Sequence, residues 1–388
     1  MERLLPLDII MDIFSRLPIK TILQCKCVCK NWFNIISNPT FSIVQFSQAT
    51  NVSNPDIILN YKYNLYFAEN NDDEYNKNHP ILSCKKIDNS PVKNTSSMAN
   101  LSVLGSYNGL LCLTVLHKIR FLGSNPIYIF NPITGDRLRL PDPQSYEDED
   151  KPRIFLSGLG FDVSIGKFKI VLAFCYSDDS KSELQVHTLG SNIWRRKVGI
   201  VPIEPFDSLQ DFSFVFVNGS LHWITIADNF PNSRKLVITS FHFGVEEFGI
   251  VPKPKSVVVD PQLIYPRIYF VLGVLDEHLS LVDSSSRNFI RIWFKKNDNG
   301  KKSWIKKFVI QKNLVCRQLN EAIVPIKLRE KGEILFLLLG SEYMVSYNIE
   351  SRKCRSLKVG SQESDCTYFD AIPVTSSLIS VRSLQNGY

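Results

Sequence analysis

The hydrophobic period of this chain changes once, near residue 50, and the pattern after the change repeats. Beyond about residue 55 the apolar residues alternate with polar ones, and Val, Ile, Phe and Tyr dominate the runs between turn residues. One recurring element is a turn followed by an apolar strand: Asn108-Gly109 before 110–113, Ile165-Gly166 before 167–174, Asn218-Gly219 before 220–224, Asp276-Glu277 before 278–282, and Lys331-Gly332 before 333–339. The other is a strand, a polar turn and a strand, at 127–141, 184–198, 238–252, 290–310 and 343–359. The two alternate, each recurring after about 55 residues, a length that holds four short antiparallel strands and their loops. A four-stranded unit repeated radially is a propeller blade, an arrangement that leaves only short protected edges. A sixth unit can be assembled from 56–68 and 81–87 at the front and 368–381 at the back, which would close the ring. The expected fold is therefore mostly β, a propeller of about six blades over residues 57–388. Seven blades and an array of two-sheet sandwiches are the alternatives.

Residues 1–45 have a helical period. Leu5, Ile9, Ile10, Ile13, Phe14 and Leu17 recur along one stripe, with Pro6 at the start and Pro18 at the end. A second stretch carries Ile19, Ile22, Leu23, Val28, Trp32, Ile35 and Ile36, and Asn38-Pro39 stops it. A unit this small cannot bury both stripes by itself, and free thiols offer no staple, so a partner surface is expected. Residues 46–56 are polar and read as a linker between independently folding regions.

A net charge of +7 is modest for 388 residues. Its nearest concentrations, Arg195-Arg196-Lys197 and Lys301-Lys302 with Lys306-Lys307, lie in strand and turn sequence and read as solvated edges, so no nucleic-acid partner is expected. No apolar run reaches the ~18 residues of a membrane span, and the start resembles no signal peptide, so no membrane partner is expected. Nine cysteines without a secretory signal read as free thiols in a reducing compartment, cytoplasmic or nuclear. Cys25, Cys27 and Cys29 are spaced so that, on a helix, Cys27 would point away from the other two. They read as small buried residues rather than metal ligands. The six scattered histidines, and the absence of nucleophile-elbow, P-loop or zinc-protease motifs, predict no catalytic residues and no cofactor. The polar stretches 70–78 and 141–152 read as surface loops.

Residues 5–41 strongly resemble the plant F-box. The matching positions are Leu5-Pro6, Ile9 and Ile13, Leu17-Pro18, Leu23, Val28-Cys29-Lys30, Trp32 and Ile35-Ile36. The remainder is similar, more loosely, to the F-box-associated, kelch-like domain of the same superfamily, which includes S-locus F-box proteins. The similar segments are 108–113, 128–135, 158–162 with 168–171, 217–224 and 238–252. The resemblance implies three short helices over 1–45 whose matching residues dock a Skp-type adaptor, and through it cullin and RING subunits. It implies a non-catalytic receptor that holds an unidentified protein target for ubiquitination. A scaffold that binds the adaptor without delivering a substrate, and a propeller hydrolase, are the alternatives. No residue marks the target-binding surface.

Overall fold

The computed structural model describes residues 6–38, 40–42, 44–45, 56–61, 64–68, 81–87, 99–117, 126–143, 153–175, 182–198, 214–229, 233–260, 266–298, 301–316, 321–329, 332–341, 343–360 and 369–384. Leu5, most of the linker, loop 70–78 and most of loop 141–152 lie outside them. The chain opens with helices α1 (Leu7–Ser15), α2 (Ile19–Cys25) and α3 (Lys30–Ile36), and the rest is almost entirely strand.

Six blades follow, each a four-stranded antiparallel meander. The first holds β1 (Asp56–Tyr61), β2 (Asn64–Ala68) and β3 (Ile81–Lys86). The second holds β4 (Ala99–Tyr107), β5 (Leu110–His117), β6 (Ile127–Phe130) and β7 (Arg137–Arg139). The third runs from β8 (Arg153–Asp162) through β9 (Lys167–Cys175) and β10 (Ser182–Thr188) to β11 (Trp194–Val198). The fourth comprises β12 (Val215–Val217), β13 (Ser220–Asn229), β14 (Ser233–His242) and β15 (Glu247–Val251). The fifth comprises β16 (Phe270–Leu275), β17 (His278–Asp283), β18 (Phe289–Asp298) and β19 (Lys301–Gln311). The sixth comprises β20 (Ile323–Arg329), β21 (Glu333–Leu338), β22 (Tyr343–Asn348) and β23 (Cys354–Gly360). The missing strand of the first blade is β24 (Asp370–Val374), paired antiparallel with β1 from Asp56↔Val374 to Asn60↔Asp370. The ring thus closes by joining the two ends of the chain, as the repeat pattern predicts, and the count is six. A second fastening lies on the outside, between the sixth and first blades, where β23 pairs in parallel with β3 through Lys358↔Ile81, Val359↔Leu82 and Gly360↔Ser83.

The turns explain the repeated dipeptides. Asn108-Gly109, Asn218-Gly219 and Asp276-Glu277 all have both φ angles between 49° and 78°, the left-handed pair that a tight two-residue hairpin requires. Each blade then buries its alternate residues against its neighbours. Leu110, Ile129, Ile170 and Leu172 join the second and third blades. Leu221, Trp223, Val171 and Val186 join the third and fourth. Ile57, Leu59, Leu335 and Leu337 join the sixth to the first.

The innermost strands pack backbone to backbone where side chains are missing. A Cβ on Gly105 of β4 would lie 2.5 Å from the Leu159 amide nitrogen, and one on Gly160 of β8 would lie 2.5 Å from the Phe216 ring. Because the third blade recedes there, Tyr107 of the second blade and Phe216 of the fourth meet with ring centroids 4.3 Å apart. The Gly158-Leu159-Gly160 sequence is therefore a packing device on an inner strand.

One buried cation crosses from the third blade to the fourth. Lys169 on β9 is only 4% exposed. Its Nζ lies 2.7 Å from Asp162 Oδ2 and 2.7 Å from Glu246 Oε1, and it donates to the Phe243 carbonyl at 2.9 Å. Burial works to raise the Asp162 carboxyl, but the hydrogen bonds from Lys169 and Ser164 outweigh it and hold the group below its ordinary range. Glu246 is lowered in the same way: burial opposes, and Arg195 and Lys169 prevail. A carboxyl depressed on folding stabilises above its unfolded pKa and loses that contribution as pH falls through the folded value. Lys169→Met leaves these carboxylates without their shared cation and should cost about 3–5 kcal/mol at neutral pH. The gap from the unsubstituted protein should narrow as pH falls below the ordinary carboxylate range and towards the depressed folded values. Denaturant unfolding of both proteins at pH 7 and pH 3.5 checks this; an equal gap at the two values would contradict it.

Candidate partner-docking site on the helical unit

The three helices are short and are bounded by the residues that the pattern singles out. Pro6 and Pro18 cap α1 and α2 from extended conformations, with ψ of 147° and 142°. Cys29 caps α3, its Sγ accepting from the Trp32 amide at 3.5 Å. The Cys25–Cys29 run is thus not helical throughout. Cys25 ends α2 and packs partly inside, whereas Cys27 and Cys29 are exposed, which corrects the expectation of three buried thiols. The chain turns through 26–28, so the second helical stretch is two helices.

The apolar residues of α1 fall on two sides of the helix. Ile10, Phe14 and Leu17 turn inward. Ile9 and Ile13, about 100° round the helix from Ile10 and Phe14, stand 45% and 46% exposed. Phe14, Ile22, Ile35, Ile36 and Phe41 form the inner core, with Trp32 edge-on to Phe14 at a centroid distance of 4.9 Å. Of the thirteen residues matched to the docking pattern, Leu5 lies outside the described residues. Pro6, Ile9, Ile13, Pro18, Leu23, Val28, Cys29 and Lys30 are exposed, and Leu17 and Trp32 are half-buried. Ile35 and Ile36 are 7% and 2% exposed, so as placed they support the docking face from behind and present no surface to a partner. The sequence reading missed Leu7 and Phe33, which are 57% and 50% exposed. The signal for Phe33 was its position beside Trp32, about 200° round α3 from the buried Ile35. Six of the sixteen large apolar side chains exposed among the described residues fall within residues 7–33. That concentration is the mark of a binding surface. Its charges are simple: Asp12 and Arg16 pair across one turn at 2.9 Å, and Lys26 lies 5.1 Å from the centre of the Phe33 ring.

The inner core is not closed by the helices alone. Leu378 and Ile133, both from the propeller, complete it. Leu378 follows β24, and Ile133 lies in the turn between β6 and β7. In an antiparallel meander this turn and the β4–β5 turn leave from the same end of the blade, so the helices rest on that face of the ring. One side of α1 is thus covered from below by the propeller, and the other, with Ile9 and Ile13, is left open.

The other candidates resolve into structural roles. Arg195 pairs with Glu246 and Arg196 with Glu183, each at 2.5 Å, and the Lys197 ammonium donates to the Glu246 carbonyl. Lys306 lies over the Trp293 ring at 5.1 Å, and the side chains of Lys301 and Lys302 lie outside the described set. Burial pushes the thiols of Cys316 and Cys354 up to about 11 each, which keeps them protonated. No helix among the described residues is long and apolar enough to cross a membrane, and no group of three His, Cys, Asp or Glu side chains among them could hold a metal ion.

Comparison with known proteins gives two family matches. The F-box domain model matches residues 3–43, and the F-box associated beta propeller domain model matches residues 52–377. F-box protein CPR1 of Arabidopsis thaliana is 27% identical, over 97% of this chain and 88% of that protein. A second Arabidopsis thaliana F-box protein is 27% identical over 88% of this chain and 82% of its own length. Among solved structures, polysaccharide lyase Uly1 aligns with a TM-score of 0.40 at 11% identity, over 80% of this chain and 69% of that one.

The inward and outward sets should respond differently to substitution. Ile22→Ala removes a fully buried side chain and should cost about 2–5 kcal/mol of helical-unit stability. Ile13→Ser, on the open side, should stay within about 0.5 kcal/mol of the unsubstituted protein. Amide exchange across α1–α3 reads both.

Proposed function

Because the chain belongs to the F-box proteins that carry an F-box associated beta propeller domain, we propose that it is the substrate-recognition subunit of an SCF-type ubiquitin ligase, working in the cytoplasm or nucleus. The supporting observation is the open apolar side of the F-box: Leu7, Ile9 and Ile13 on α1, with Leu23, Val28 and Phe33 beyond it. An amphipathic helix that leaves such a stripe in water is completed by a partner with a matching groove, and a Skp-type adaptor is the partner that this family implies. Cullin and RING subunits would join through that adaptor.

The chain itself breaks no bond in this reading. The propeller holds a protein target, the F-box fixes the complex to the ligase, and ubiquitination is accelerated by effective concentration. Connection lengths support target binding on the face away from the F-box. The β4–β5 and β12–β13 turns have two residues each, whereas on the opposite side the strand ends are separated by longer stretches of sequence, Val198 from Val215 and Val251 from Phe270. Long connections on a rigid scaffold are where recognition surfaces are built.

The test uses the full-length chain and a recombinant plant Skp-type adaptor. Burying one aliphatic side chain is worth about 1.5–3 kcal/mol. Ile9→Asp combined with Ile13→Asp should therefore weaken adaptor capture by about tenfold or more, with the unfolding midpoint unchanged. Undiminished capture by the folded double variant would sink the docking assignment.

A further inference from the structure

The F-box core is finished by the last described segment of the chain, and one buried amide sets both propeller residues in place. Asn131, fully buried at the start of the β6–β7 turn, uses its side chain in two directions. Its Oδ1 accepts from the Ile133 amide at 2.9 Å and the Thr134 amide at 3.3 Å, which folds the turn so that Ile133 reaches the helices. Its Nδ2 donates to the carbonyls of Ser377 at 3.0 Å and Ile379 at 2.8 Å, the residues on either side of Leu378. The segment is tied down along its length. Ser377 Oγ donates to the Asn108 carbonyl at 3.1 Å, and Ser380 Oγ donates to Asp136 at 2.9 Å. Ile379, Val381 and Leu384 enter the core between the second and third blades. Gly109 admits the segment, because a Cβ there would lie 2.4 Å from Ser377 Oγ.

This segment also continues directly from β24, the strand that closes the ring. We infer that residues 375–384 couple the two halves of the chain: the F-box attains its adaptor-binding form only on a closed propeller, with Leu378 and Ile133 as the positioning residues. Neither residue stands on the open side of α1, so both act through the core beneath it. A helical unit of some 40 residues that lacks these two side chains has an incomplete core. Its competent fraction then falls, and the apparent adaptor affinity falls with it. By linkage, adaptor binding must in turn hold residues 375–384 more firmly in place. The adaptor half of this inference rests on the proposed receptor role; the folding half does not.

The experiment is amide hydrogen exchange on the full-length chain, with and without a recombinant Skp-type adaptor. In Leu378→Asp, and independently in Ile133→Asp, exchange of the α1–α3 amides should be at least tenfold faster than in the unsubstituted protein. The β9, β13 and β17 amides should be unchanged. In the unsubstituted protein, saturating adaptor should slow exchange across 375–384. Unchanged α1–α3 exchange in both variants, with blades still protected, overturns the inference. Should both variants open the blades, the linkage measurement decides alone: no added protection of 375–384 by saturating adaptor overturns it. If the unsubstituted chain fails to bind the adaptor while the variants still loosen α1–α3, the coupling stands and the receptor role fails.

Discussion

Everything in this molecule depends on five residue pairs, Asp56 to Asn60 against Asp370 to Val374. A ring of blades has no cap at either end. Each blade's apolar faces are buried only by its two neighbours. Without β24 the first blade would lose its innermost strand, and the cores shared with the sixth and second blades would open to water. The parallel β3–β23 pairing at the rim is a second fastening, joining the outer strands of the first and sixth blades.

The inner wall shows what the ring has traded for closeness. Gly105, Gly158 and Gly160 let the second, third and fourth blades approach until aromatic rings meet across the third blade. Two cations are taken into the interior together with their partners. Lys169 serves two carboxylates and a carbonyl at once, and Lys312 donates to the Ser284 carbonyl at 2.9 Å from a buried position. Cations this deeply buried are tolerated only with such partners.

The propeller was legible because its signals are local and repeated. The left-handed dipeptides at 108–109, 218–219 and 276–277 each announce a hairpin through backbone sterics. Five repetitions, with unpaired ends at both termini, implied the closure. The docking face was legible only in part. Ile9 and Ile13 share a helical period with Ile10 and Phe14, and periodicity alone does not say which neighbouring pair faces water when a helix is apolar over more than half its girth. That choice is made by Leu378 and Ile133, residues roughly 365 and 120 positions further on, and no local pattern reports a contact across that distance. The same limit hid the role of Asn131. In sequence it is one residue of a polar turn; in space its two ends hold segments about 246 residues apart. The Cys25–Cys29 run was misread for a simpler reason: the helix was extended through residues that form a turn, so the thiols were given a periodicity they do not have.

The pairing of β1 with β24 also has a consequence in time. On the ribosome, β1 emerges about 300 residues before its partner. At roughly 5–20 residues per second, that is a wait of some 15–60 seconds. Throughout it, the strands of the first blade present open edges and an apolar face. A newborn chain therefore spends that interval with its earliest sheet unfinished, and chaperone demand should be greatest before β24 has emerged.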